Sequence, residues 1–546
     1  MLSWRFLLLP IYFLLVTLLH SACTAVKQPT FELTQTSFVE NGRCSNKFVA
    51  HPLPHVTAES VERIGFFISN GSGLAVNDLD QDGDHDIVLG NILGPVQIFW
   101  NQGNFEFEAQ VLFEGSVRAV TVVDFNGDGL LDLLFSTRNG RIEYFHNQGD
   151  RVFVEQRLGT IDAYVYSMDL GDVDLDGDLD LVTASYDASM ELIHRNAFGT
   201  TGAAGVYWHE NVDNNFTSYQ LAPRAQALAL QLVDLDGNGR LDLHVGNDFD
   251  IPDFVWLNSE EGWELAELFD RTTMSTMSFD RGDVNNDGQR ELFAADMHPY
   301  SEEPEIMAQW QPILDNITHD VAEDDAQRMA NVLQSGDPAA SFLNVAEESG
   351  LSATGWSWSS KFGDIDQDGY LDLYVVNGMQ ALNNFSHLPN DTLVEENLAL
   401  QNNQSGQFER VDAWGLNSTL GGRSMSMADL DNDGDLDIVV NNLAGPSQIY
   451  ENQLCQGDSL QVELEWAATP NRYGIGAQLF LESDSGVLQR DVRVTSGYLS
   501  GDPVRVHFGF KENTAVTELK VVWPDGIESV HENVQNGLVR VSRIDQ

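Results

Sequence analysis

The chain reads as an all-β protein: a seven-bladed β-propeller followed by a small C-terminal β-sandwich domain. Three observations predict this. One acidic nonapeptide pattern recurs seven times, each copy lies between two segments of strand length and apolar character, and the copies stand 46 to 81 residues apart. Periods of that size with several strands each suit propeller blades. The pattern then stops, and from about Ser459 short alternating strands separated by Gly and Pro turns take over.

Composition narrows the function. The chain has 546 residues, 42% hydrophobic, with 84 acidic against 28 basic residues and a net charge of −56. That apolar share belongs to a folded chain rather than an acidic disordered one. The charge excludes nucleic acid as a partner, because the field would repel a polyanion. Three cysteines cannot build a disulfide-dense scaffold or a four-cysteine zinc site.

The first element is an export segment. Arg5 precedes an apolar run from Phe6 to Leu19, which ends at His20-Ser21-Ala22-Cys23. Residues 1–22 read as a secretory signal, too short for a comfortable membrane span. Cys23 after Ser-Ala resembles the bacterial lipoprotein box, which makes it a candidate lipidation site, although His20 takes the usual apolar place. The expected location is outside the cytoplasm: extracellular, periplasmic, or held at the cell surface by lipid on Cys23. Residues 23–45 read as a linker.

The acidic pattern D-x-[DN]-x-[DN]-G-x-x-[DE] begins the propeller. The first copy offers Asp78, Asp80, Asp82, Asp84 and Asp86; the second Asp124, Asn126, Asp128 and Asp132. The third has Asp172, Asp174, Asp176, Asp178 and Asp180, the fourth Asp234, Asp236, Asn238 and Asp242. The fifth has Asp283, Asn285, Asp287 and Glu291, the sixth Asp364, Asp366, Asp368 and Asp372. The seventh has Asp429, Asp431, Asp433, Asp435 and Asp437. Oxygens at positions one, three and five curl round a hard cation, the glycine at six permits the turn, and a carboxylate at nine closes the shell. The expected cofactor is Ca2+, up to seven ions in a structural role. Loops two, four and five carry Asn in place of Asp and are expected to bind less tightly than one, three and seven. Position twelve, where a helical calcium hand needs Glu, holds residues such as Leu89, Phe135 and Val440. The loop therefore joins two strands of a hairpin.

A third strand ending in aromatic-plus-Asn follows in several copies, as in Trp100-Asn101 and Tyr144-Phe-His-Asn147, and then a fourth strand. The seventh copy lacks its fourth strand. The unpaired Phe48–His51 segment is expected to supply it by pairing with residues 448–452. Cys44 and Cys455 flank those two segments, so a Cys44–Cys455 disulfide is expected in an exported protein. The propeller is thus placed at residues 46–455, with insertions near 297–328 and 378–404, the usual place for recognition.

The last domain, 456–546, carries the specific motifs. Asn471-Arg-Tyr-Gly474-Ile-Gly476, Ser496-Gly-Tyr498, His507-Phe-Gly509 and Trp523-Pro-Asp-Gly526 resemble the ASPIC/UnbV module. The upstream repeats are similar to the FG-GAP/VCBS blades of integrin α chains. Together they resemble the cartilage acidic protein family, which implies an extracellular, calcium-binding interaction protein with a protein or glycan partner.

Recognition is expected on the face opposite the calcium loops. Arg118, Arg224, Arg271 and Arg423 enter there, with Trp356 and Trp358 nearby, as an anionic-ligand site or as packing and surface pairs. No G-x-S-x-G, H-E-x-x-H or phosphate-binding loop is present, so no catalytic residue is assigned. The leading expectation is a binding or adhesion protein. The alternative is a calcium-dependent polysaccharide lyase, signalled by a deep groove holding His298, Tyr300 and an arginine.

Overall fold

A computed structural model describes residues 29–39, 43–58, 64–65, 67–159, 161–212, 214–249, 251–315, 325–336, 341–382 and 384–545. The export segment and Cys23 lie outside the described residues.

The fold is nearly all β, and each aspartate loop joins the first two antiparallel strands of its own sheet. The first three pairs are Leu74–Asn77 with Asp86–Leu89, Val117–Val123 with Asp132–Thr137, and Ser167–Gly171 with Asp180–Ala184. Ala227–Val233 with Asp242–Asn247 and Ser278–Gly282 with Glu291–Ala295 follow. Gly355–Gly363 with Asp372–Asn377 and Gly422–Ala428 with Asp437–Asn442 complete the set. Seven sheets result, and the first strand of each lies against the first strand of the next, with the seventh against the first.

Burial grades outward, as the sequence pattern dictates. Val117–Val123 is buried at every position, whereas the outer strand Phe153–Gln156 of the same sheet is exposed at three of four. Apolar first strands meet at the centre and polar fourth strands face water.

The seventh sheet takes its outer strand from the N-terminal end. Val49–Val56 pairs antiparallel with Pro446–Glu451, placing Val49 opposite Glu451 and His51 opposite Ile449. Cys44 and Cys455 are disulfide-bonded beside this pair, their Cα atoms 5.6 Å apart.

Insertions leave the turn after the second strand. The fifth sheet's insertion holds helix α2 (Pro304–Leu314), and the sixth sheet's runs from Gly378 to Asn397. The third sheet has one too, with helix α1 (Asp187–His194) and a following 3-10 turn, which the sequence reading passed over.

The C-terminal domain holds two four-stranded sheets. One runs Gly486–Asp491, Gln478–Ser483, Val516–Val522, Glu528–Glu532. The other runs Thr30–Thr36, Gly537–Ile544, Asp458–Trp466, Val506–Phe510. Its edge strand corrects the linker expectation for 23–45, since Thr30–Thr36 pairs with Gly537–Ile544 along seven residues.

A second element crosses between the domains. The hairpin of Thr495–Ser496 and Ser500–Gly501 leaves the C-terminal domain and joins the first propeller sheet, with Gly501 parallel to Ala75. Gly497 bridges to Phe279, the Val120 amide donates to Leu499, and the Tyr498 amide donates to the Ser359 hydroxyl. The hairpin therefore sits among the inner strands of the first, second, fifth and sixth sheets. Tyr498 is fully buried, its hydroxyl 2.8 Å from that of Tyr166.

Candidate calcium sites and the two propeller faces

Each loop is shaped by backbone amides that converge on its own carboxylates. In the first, Asp78 accepts the amides of Asp82 (3.2 Å) and Gly83 (3.0 Å), while Asp86 accepts those of Leu79 (3.1 Å) and Asn101 (2.9 Å). The same ties recur in the seventh, where Asp429 accepts from Asp433 and Gly434 and Asp437 from Leu430 and Asn452. Gly83 and Gly434 both have φ near +100°, a conformation that favours glycine.

The result is a crowd of like charges. Three carboxylate oxygens lie within 4.8 Å of one another in Asp78/Asp80/Asp86, Asp172/Asp174/Asp176, Asp234/Asp236/Asp242, Asp364/Asp366/Asp372 and Asp429/Asp431/Asp437. Oxygens at Asp80, Asp172, Asp366 and Asp435 are buried with no hydrogen-bond partner. In Asp80 and Asp366 the second oxygen is held, by Arg151 (2.7 Å) and Gln401 (2.6 Å), which fixes the orphaned one in place. Orphaned buried acceptors are rare in folded proteins, and all-oxygen donor sets are what a hard divalent cation requires. These residues fit calcium.

Burial sets their titration. It pushes Asp86 and Asp180 up to about 8, against the pull of the asparagine amide each accepts and with the position-three carboxylate adding to the rise. Asp364 is likewise pushed to about 8, and Asp372 and Asp437 well above the usual range, by burial first and by neighbouring carboxylates after it.

The remaining loops differ for a visible reason. In loop two, Asn126 stands at position three, and the Tyr144 hydroxyl donates to Asp132 at 2.9 Å. In loop five, Asn285 stands there, and Ser335 donates to Glu291 at 2.9 Å. Loop four keeps Asp at position three and its Asn238 at five, so its three carboxylates still converge. A count of charges groups loops two, four and five together; geometry separates loop four from the other two.

In five of the seven sheets an asparagine at the end of the third strand links neighbouring sheets. The Asn147 side chain donates to its own loop at Leu131 (3.0 Å) and to the preceding sheet at Leu79 (2.9 Å). Asn258, Asn402 and Asn452 reach Val173, Val284 and Ile365 in the same manner, and Asn101 reaches Leu430 of the seventh sheet. Asn147→Ala leaves two buried carbonyls unpaired, so it is expected to destabilise the calcium-loaded protein by about 1–3 kcal/mol, read from urea unfolding curves.

The C-terminal domain covers the calcium-loop face. The Tyr473 hydroxyl donates to the loop-two glycine carbonyl of Gly129 (3.0 Å), Arg505 to that of Gly83 (3.2 Å), and Thr469 to that of Gly177. His507 lies 3.0 Å from the Gly434 carbonyl, and Gln461 donates to Asp429 at 2.7 Å.

The four arginines expected on the other face form no free ring. Arg118 and Arg423 are buried: Arg118 donates to the Gly71 and Phe67 carbonyls, Arg423 to those of Ser69, Gly378 and Gly422. Arg423 also stacks 4.5 Å from the Trp358 ring centroid. Arg224 is exposed and pairs with Asp187 at 3.7 Å, and Arg271 donates to the Asp270 and Asp325 carbonyls. Trp356 and Trp358 do come together, lining one cavity of about 460 Å3 at this face. Tyr300 instead lies under Arg410, which is paired to Glu396 and Asp412, and neither Tyr300 nor His298 lines that cavity.

Residues 467–539 match the ASPIC and UnbV family, and residues 78–135, 124–183 and 392–440 match the FG-GAP-like repeat. The chain carries FG-GAP-like repeats and an ASPIC/UnbV domain. The FG-GAP matches fall on the first, second and third aspartate loops and on the seventh. The ASPIC/UnbV match contains the hairpin that enters the propeller, together with Tyr473 and Arg505. Neither match extends to the cartilage acidic protein family. No curated protein matches the chain. Two crystal structures of BBS1N in complex with ARL6DN, soaked with mercury and with lead, are similar at 10% identity with TM-scores of 0.40 and 0.41. They cover 74% and 76% of this chain and 96% and 98% of those chains.

Proposed function

We propose that this protein is an exported calcium-stabilised propeller that works as a binding or adhesion protein outside the cytoplasm, with a protein or glycan as its ligand. The seven sheets are read as the blades of one ring, completed by Val49–Val56. The observation that carries the reading is the division of the two faces. Converging aspartates and the ASPIC/UnbV domain occupy one, while the insertions and an open cavity occupy the other. Calcium supplies positive charge to Asp78, Asp80, Asp86 and their counterparts, which holds each hairpin turn in its charged form. FG-GAP repeats are in keeping with an extracellular or cell-surface protein, and among the described residues no helix is long and apolar enough to cross a membrane.

A lyase needs a basic group within reach of a sugar α-proton. Among the described residues the cavity lining contains none of the Arg, Lys or His that the lyase reading calls for, and its two carboxylates, Asp248 and Asp296, are buried and hydrogen-bonded. A screen of glycans, polyanions and surface proteins, with and without calcium and with product analysis, tests the proposal. Binding without turnover is expected; unsaturated sugar ends in the product would overturn it.

A further inference from the structure

Five of the chain's eleven methionines, Met274, Met277, Met297, Met329 and Met379, line the cavity on the insertion face. Tyr186, Phe249, Trp356 and Phe385 share it, and at about 460 Å3 it has the size of a small-molecule site. Thioethers and aromatic faces are polarisable, and methionine surfaces adapt to varied apolar shapes.

Two carboxylates are set into this lining. Asp248, buried, accepts the Tyr186 hydroxyl at 2.7 Å and the Phe249 amide at 2.9 Å. Asp296, also buried, accepts the amides of Met274 (2.8 Å), Ser275 (3.1 Å) and Met297 (2.6 Å). Each is thereby fixed in orientation; burial raises both, Asp296 to about 8 with the Asp248 charge adding to the rise, and a cationic partner would favour their ionised forms. Among the described residues no basic side chain lines the cavity. Arg423, which stacks on the lining residue Trp358, donates its Nε and Nη1 to three backbone carbonyls. The Trp356 indole N–H is buried without a partner.

We propose that this cavity binds an apolar organic cation, an amine or quaternary ammonium on an aromatic or branched body. Its head group lies toward Asp248 and Asp296, and its body lies among the methionines and aromatic rings. Charge complementarity decides the class. An anionic lipid would meet two fixed carboxylates in a protein of net charge −56. Aromatic faces favour cations electrostatically. The inference rests on reading the insertion face as the recognition face.

The test uses the full calcium-loaded protein and three probes sharing one body: phenylbutylamine, phenylbutanol and phenylbutanoate. Binding is read by calorimetry and by the fluorescence of Trp356 and its neighbours. The amine is expected to bind at least tenfold tighter than the alcohol, with the acid weakest. Asp248→Asn is expected to erase the preference for amine over alcohol, and Phe385→Ala to weaken both alike. If Asp248→Asn fails to fold, the ranking on the unmodified protein still decides. Equal or tighter binding of the alcohol or the acid, or no binding of the amine, would overturn the proposal. A calcium-dependent melting shift on the same sample separates the two failures. A shift without amine binding refutes this site and leaves the calcium-stabilised scaffold standing.

Discussion

Arg493→Ala is expected to cost about 3–5 kcal/mol, the usual loss when one partner of a buried ion pair is removed. Arg493 leaves the C-terminal domain beside the inserted hairpin and pairs with Asp280 (2.6 Å) of the fifth propeller sheet and with Asp502 (3.0 Å). The Asp280 side chain is fully buried. Burial works against the Arg493 charge, but Asp280 and Asp502 outweigh it and hold the guanidinium above its ordinary range. Lys361 also pairs with Asp502, so the alanine variant strips Asp280 of its ion-pair partner while Asp502 keeps one. The consequence is local as well as global. Hydrogen exchange at Thr495–Gly501 should quicken in the variant, since the hairpin loses its charged anchor. Arg493→Lys, which keeps the charge, should recover much of the loss. Unchanged exchange and an unchanged melting point would show that the hairpin is held by packing alone.

The second large effect concerns pH in the absence of calcium. Asp86, Asp180 and Asp364 stand at about 8 and Asp78 and Asp172 at about 6, raised first by burial. Each therefore binds its proton more firmly folded than unfolded. Stabilisation from such a group is complete below the unfolded value near 4 and is lost as pH rises through the folded value. The calcium-free protein is thus expected to be most stable in mild acid and to lose several kcal/mol between about pH 5 and 8. Calcium favours the ionised form, so its stabilisation should be smallest in acid and grow across the same range. Thermal melts at several pH values in chelator and in excess calcium check both slopes. A calcium-free protein whose stability rises with pH would contradict the clustering of carboxylates.

The aspartate loops were legible in the sequence because spacing, glycine and flanking strands all specify one hairpin. The outer strand of the seventh sheet was legible for a different reason: it had no local partner, and its cysteine pointed to where one lay. What was hidden is long-range and made by ordinary residues. Nothing in Thr30–Thr36 marks it as the edge of a sheet closed some 500 residues later. The docking of the C-terminal domain uses backbone carbonyls at Gly83, Gly129 and Gly177, which carry no sequence signal. Arg118 and Arg423 looked like surface cations because arginine usually is one. Here buried backbone carbonyls absorb their N–H groups. The methionine cavity was invisible for a similar reason, since its lining comes from ten separate stretches of chain between Asn70 and Phe385.

One measurement bears most directly on the whole account: melting of the full chain at pH 8 in excess chelator and then along a calcium titration, with bound ions counted by calorimetry. A large rise in melting temperature and several bound ions are expected, the tight ones belonging to loops with a converging carboxylate trio. A melting temperature indifferent to chelation, with no ion bound, would contradict it.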